Sequence, residues 1–218
     1  LEGDVFQRAP VARVTHYVIT LDREGRPVRS ETRTRRADGT PLPGQPTGAV
    51  VTFRGDSAVA DVQLADSTRR LAVGGVPAGT LPSVGGSWAI YELVTTGLRA
   101  AGRDSATVAL WAPGAPKPAT LALAVRGDTA RMDYFGDPMV MRLDPRGRVL
   151  AVDGSRTTNK VRATRVADVD VAGMARAFAA RGPMGAASPA DSVKASVGAA
   201  QVAIVYSRPS VRGRTVWG

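Results

Sequence analysis

The chain has 218 residues, 44% of them hydrophobic and 22% charged, a balance that excludes wholesale disorder and a length that can bury a core. Its net charge is +10, nearly all from arginine, since Lys117, Lys160 and Lys194 are the only lysines, so an acidic surface is the expected kind of partner. There is no cysteine, which rules out disulfides, thiol nucleophiles and zinc–thiolate sites, and no apolar run reaches the ~20 residues of a membrane-spanning helix.

Residues 1–10 read as an N-terminal extension. The first residue is Leu1, as removal of a signal peptide would leave it, so a periplasmic or secreted location is expected. From Val11 to Val166, short β-prone runs alternate with turn dipeptides. Asp22-Arg23-Glu24-Gly25 divides His16–Leu21 from Pro27–Arg35, and Asp38-Gly39 opens a proline-rich loop. Gly55-Asp56 joins Ala49–Phe53 to Ser57–Leu64, and Gly127-Asp128 joins Thr120–Val125 to Thr129–Tyr134. Asp144-Pro145-Arg146-Gly147 joins Met139–Leu143 to Val149–Val152. Gly and Asp accept the dihedrals that tight hairpins need, and Pro145 presets one of them. Leu121, Leu123 and Val125 fall on one strand face, as do Met139, Met141 and Leu143.

One helix is expected. Asp170 can cap it, and Val171, Met174, Ala175 and Phe178 recur at helical spacing before Gly182-Pro183. The fold class is therefore mainly β. It is an antiparallel meander, one continuous sheet system from Val11 to Val166, forming a curved sheet or partly open barrel. A C-terminal helix and an extended tail complete it. The β domain spans 11–181, residues 182–192 form a Gly/Pro/Ala linker, and 193–218 begin a further β unit. Gln201 to Tyr206 is expected to pair as an added strand, on this domain or on a partner, with Val202, Ile204 and Tyr206 sharing its apolar face.

No constellation supports catalysis. His16 is the only histidine, so neither a His-based triad with a second base nor a multi-His metal site fits one chain. Gly85-Gly86-Ser87-Trp88 lacks the second glycine of a nucleophile elbow and reads as a loop before a strand. Arg54-Gly55-Asp56 and Arg126-Gly127-Asp128 read as hairpin turns rather than recognition triplets. Asp133 and Asp137 flank a turn at a spacing that fits no calcium loop. No cofactor, metal or catalytic residue is expected. Trp88, Trp111 and Trp217, with Tyr17, Tyr91, Tyr134 and Tyr206, either pack the core or line an apolar pocket.

Arg29, Arg33 and Arg35 share a strand face and Arg36 adds charge at its end, the densest basic stripe in the chain. Arginine is otherwise spread along the sequence without stacking aromatics, so nucleic acid is not expected. Tyr206-Ser207-Arg208-Pro209-Ser210-Val211-Arg212-Gly213-Arg214 with Val216-Trp217-Gly218, preceded by Ser188-Pro189-Ala190, resembles the opening of the DUF2911 family of bacterial secreted domains. That resemblance covers Ser188 to Gly218 and implies no reaction and no role for Arg208 or Arg212. Independently of it, Arg208 and Trp217 are expected to join Arg29, Arg33, Arg35, Arg36, Val202, Ile204 and Tyr206 as partner-binding residues. Val11 to Ala180 is similar in pattern to periplasmic lipoprotein-carrier-like β domains. Two functions follow as expectations. One is a non-catalytic extracytoplasmic accessory subunit docked on a protein assembly with an acidic surface, such as a membrane-embedded respiratory or photosynthetic complex, and membrane-associated only through that partner. The other is a periplasmic binding or carrier module for a hydrophobic small molecule or lipid.

Overall fold

The computed structural model describes residues 1–7, 12–40, 42, 44–134, 136–156, 160–180, 190–198 and 200–207. The chain divides into two units, Leu1–Ala175 and Arg176–Gly218.

The first unit is mainly β and antiparallel, as the alternation predicts. Strands β1 (Glu2–Gln7), β2 (Arg13–Leu21), β3 (Pro27–Arg36), β4 (Gly48–Arg54), β5 (Ser57–Gln63) and β6 (Thr68–Gly74) form a six-stranded meander in sequence order. Seven more form a second sheet: β7 (Leu81–Pro82), β8 (Ser105–Trp111), β9 (Ala119–Arg126), β10 (Thr129–Tyr134), β11 (Asp137–Leu143), β12 (Val149–Gly154) and β13 (Val161–Thr164). Within it only β7 and β8 run parallel. The expectation of one continuous sheet system is thus corrected to two sheets. The physical reason lies in residues 75–91, where Pro77 and the positive-φ glycines Gly75, Gly79 and Gly86 interrupt the ladder. Residues 1–10 are not a mere extension either, because β1 pairs with β2 from Glu2↔Val18 to Gln7↔Arg13.

A short 3₁₀ turn (Ala89–Tyr91) leads into α1 (Glu92–Ala100), a helix in addition to the one expected. The Gly85-Gly86-Ser87-Trp88 loop therefore precedes a helix and not a strand. Ile90, Tyr91, Thr95 and Leu98 bury one face of this segment. The Thr95 hydroxyl donates to the Gly147 carbonyl at 2.7 Å, fixing α1 to the β11–β12 turn.

One core cluster joins both sheets. Tyr17 and Ile19 of the first sheet share it with Leu121, Leu123, Met132, Met139 and Met141 of the second, all almost wholly buried. A smaller cluster places Trp111 against Val51, Ala58, Ala60 and Val62. Both Arg-Gly-Asp triplets are two-residue hairpin turns, flanked by the pairs Arg54↔Ser57 and Arg126↔Thr129, with Gly55 and Gly127 at positive φ.

The expected C-terminal helix is α2 (Val171–Ala179). The Asp170 carboxylate accepts from the Gly173 N–H at 2.6 Å, which is N-capping, and a Cβ at Gly173 would collide with that carboxylate. The glycine that weakens the helix by composition therefore makes room for its cap.

In the second unit, β14 (Ala190–Val197) and β15 (Ala200–Ser207) form an antiparallel hairpin. The partner of Gln201–Tyr206 is thus the preceding strand of the same chain, and residues 190–192 of the expected linker belong to that strand. The rest of the linker lies outside the described residues.

Candidate functional site

The first unit carries a cleft of about 450 Å³ between β1 and the β12–β13 end of the second sheet. Val5 and Phe6 form the β1 side, Trp88 and Ala89 enter from the loop before α1, and Leu150 and Val152 come from β12. Val166, Val169 and Met174 stand at its margin 57%, 51% and 47% exposed. Three large aliphatic side chains left that open, beside a recess with apolar walls, form the kind of patch that marks a binding groove.

Hydrogen bonds hold the walls in place. The edge strand β1 is tied at its start by the Leu1 ammonium donating to the Ile19 carbonyl at 2.9 Å and the Ile19 N–H donating to the Leu1 carbonyl at 2.7 Å. The Tyr17 ring lies across β1 at Gly3, where a Cβ would sit 2.7 Å from the phenolic oxygen. Ser87 donates to that same oxygen at 3.1 Å, in a buried contact that anchors the Trp88 loop. On the opposite wall, Glu92 of α1 accepts from the Val149 N–H at 3.2 Å and from the Arg165 guanidinium, which also donates to the Val149 carbonyl at 2.9 Å. The one ion pair lining the cleft is therefore engaged in scaffolding.

The aromatics divide between the two expected uses. Trp111 and Tyr91 are core, Trp88 lines the cleft, and Tyr17 is a core residue that also forms part of the cleft floor. Trp88 stacks on Tyr91 with ring centroids 6.3 Å apart. Tyr206 is exposed on the hairpin. The side chain of Tyr134, and Trp217 altogether, lie outside the described residues.

His16 faces away from the cleft. Its Nδ1 is 3.1 Å from Asp4 Oδ1 and its Nε2 3.5 Å from Glu2 Oε1. Ser87 thus has a tyrosine and no base as its partner. Asp133 accepts from the Gly136 N–H at 2.7 Å, which closes its turn. Among the described residues, no three His, Cys, Asp or Glu side chains converge as metal ligands.

Of the basic stripe, Arg29 pairs with Glu31 at 2.9 Å, whereas Arg33 and Arg35 are exposed without an ion pair among the described residues. Arg36 is the last residue of β3 rather than part of the turn, and alternation puts it on the opposite face, with its Nε buried and without a hydrogen-bond partner among the described residues. In the hairpin, the register Asp191↔Tyr206, Val193↔Ile204 and Ala195↔Val202 gathers Val202, Ile204 and Tyr206 on one apolar, solvent-exposed face. Arg208 lies outside the described residues. The cleft was not found from sequence. Its elements are far apart in the chain, and only the aliphatic run Val166, Val169, Val171 and Met174 hinted at it.

No family model matches the chain, and no curated protein matches it. In structure it is similar to a crystal structure of a DUF1089 family protein from Pseudomonas aeruginosa, at 12% identity and TM-score 0.42, over 71% of this chain and 89% of that one.

Proposed function

We propose that this protein is a non-catalytic, extracytoplasmic binding module that holds the apolar part of a small hydrophobic molecule or lipid in the cleft beneath β1. The carrying observation is the combination of an apolar recess of about 450 Å³ with three half-exposed aliphatic residues at its margin. Its size falls in the range of about 300–1,000 Å³ usual for small-ligand sites. The walls offer aliphatic and indole surface, and their charged groups are already paired, so apolar burial supplies the affinity. The test is calorimetric titration of the protein with oleate. Saturable binding with a negative heat-capacity change is expected, and it should be lost in Met174→Glu combined with Val169→Glu. Absence of saturation, or binding untouched by both substitutions, overturns this reading.

A second reading rests on the hairpin. All eight residues of β15 are exposed, and Val202, Ile204 and Tyr206 form an uncovered apolar face. A subunit that docks through this face onto a larger assembly would protect it from water. Ile204→Lys should then release the protein from the membrane-associated fraction of its source cells while oleate binding persists. Unchanged fractionation removes this reading.

A further inference from the structure

At one end of the six-stranded sheet stand five guanidiniums with no ion-paired carboxylate among the described residues: Arg13, Arg33, Arg35, Arg36 and Arg69. The register brings them to a common rim. Arg13 lies directly opposite Arg36, and the row Arg33↔Gly48↔Gln63↔Thr68 runs across to the strand that begins beside Arg69. The carboxylates at this end are fewer than the arginines. Asp38 accepts from the Thr40 hydroxyl at 2.6 Å and feels the charge of Arg36, Asp66 accepts from the Ser67 hydroxyl at 3.2 Å, and Asp4 contacts His16. At the opposite end of the same sheet the signs are equal in number: Arg23, Arg26 and Arg54 stand with Asp22, Glu24 and Asp56, and Arg26 pairs with Asp22 and Glu24. The excess of positive charge thus lies at one rim.

Two details show that this rim is shaped for an anion. Like charges directly opposite on a ladder repel, yet Arg13 and Arg36 face each other, and Arg36 keeps a buried Nε with no partner among the described residues. The arginines also occupy both sides of the sheet. Arg33 and Arg35 border a recess of about 400 Å³ with His16 on one side. Alternation places Arg13 and Arg36 on the other side, where Arg69 borders a second recess of about 380 Å³ with Thr32 and Thr34. A protein docking on one face would meet only one of these rows. An extended plane of phosphates met end-on would meet both.

We propose that this rim seats the sheet end-on against an anionic phospholipid surface, the guanidiniums contacting lipid phosphates. Arginine matches phosphate through two parallel N–H donors, and its attraction to such a surface fades within a Debye length. The inference does not depend on the cleft holding a ligand.

The experiment is co-sedimentation of the full chain with phosphatidylcholine vesicles, with and without phosphatidylglycerol. Binding is expected only to the phosphatidylglycerol vesicles and should weaken as salt rises. Arg33→Glu with Arg35→Glu, and separately Arg13→Gln with Arg36→Gln, should each lower the partition by about ten-fold or more. Circular dichroism and oleate titration of the same variants report whether the fold and the cleft survive. Equal binding to both vesicles overturns the proposal, as does loss from only one pair, which would mean docking by a single face. Displacement by millimolar inorganic phosphate would show a site for the free anion in place of a membrane. Displacement by single-stranded DNA at concentrations below those of the lipid would show a nucleic-acid site. Either result also overturns it.

Discussion

The Ser87 hydroxyl donates to the phenolic oxygen of Tyr17 across seventy residues of sequence. This contact binds the loop that carries Trp88 to a strand of the first sheet, while α1, which follows the loop, packs in the core cluster shared with the second. Both groups are buried, so removing either leaves a polar atom unsatisfied, at a cost of about 1–3 kcal/mol. Tyr17→Phe and Ser87→Ala should each lower the urea midpoint with an unchanged slope. The double variant should lose less than the sum of the two. Strict additivity would mean that the hydrogen bond does not couple the loop to the sheet.

The hairpins were legible because each turn is a local event. Gly55-Asp56, Gly127-Asp128 and Asp144-Pro145-Arg146-Gly147 carry their own dihedral preferences, and the alternation of Leu121 to Val125 needs no tertiary knowledge. The first helix was not legible. Val94, Thr95 and Thr96 are β-branched and Gly97 follows, all poor helix formers. The spacing of Tyr91, Val94, Thr95 and Leu98, with Glu92 in the first turn and Arg99 in the last, was the signal available. The cleft lay further out of reach, because its walls come from β1, the Trp88 loop, β12–β13 and α2. The arginine stripe was half legible. Alternation joins Arg33 to Arg35, but only the register sets Arg13 opposite Arg36 on the reverse face.

Gly147 and Gly25 occupy equivalent places in two turns of the same type, and comparing them separates backbone strain from crowding. Both have positive φ, +88° and +76°. A Cβ on Gly147 would come 2.6 Å from the Thr95 carbonyl oxygen, whereas one on Gly25 meets nothing within 4 Å. Gly25→Ala should cost the left-handed backbone penalty alone, about 1–2 kcal/mol. Gly147→Ala should cost distinctly more, because α1 must also shift. Equal losses in chemical denaturation would show that α1 yields freely at this contact.

Trp111 and Trp88 should respond oppositely to truncation. Trp111 is 1% exposed, and its indole N–H donates to the Ala115 carbonyl at 3.1 Å. Trp111→Ala should cost about 3–5 kcal/mol by the usual cavity arithmetic. Trp88 is half-buried on the cleft wall, so Trp88→Ala should cost less stability and weaken oleate binding more. A cleft that binds equally well without Trp88 would place the ligand elsewhere on the molecule.

Asp144 and Asp22 hold their turns in the same way. Asp144 accepts from the Arg146 and Arg148 N–H groups at 2.9 and 2.8 Å and from Arg148 Nε at 2.6 Å. Asp22 accepts from the Glu24 and Arg26 N–H groups and from Arg26 Nε, each at 2.9 Å. The Arg148 guanidinium first, and then the turn N–H groups, hold the Asp144 carboxyl below its ordinary value of 3.8. The Arg26 N–H does the same for Asp22, helped by the Arg26 guanidinium and the Glu24 N–H. A carboxyl depressed on folding adds stability above its unfolded pKa, about 3.9, and loses it as pH falls through the lower folded value. Thermal midpoints of wild type and Asp144→Asn should therefore differ by a constant amount from neutral pH down to about pH 4, and converge as the pH falls further. Because the Asp22 carboxyl is lowered in the same direction, Asp22→Asn should add to this loss at neutral pH, and its added effect should also fade in acid. A wild-type advantage that persists undiminished in strong acid would show that the turns are held by the geometry of the hydrogen bonds and not by the carboxylate charge.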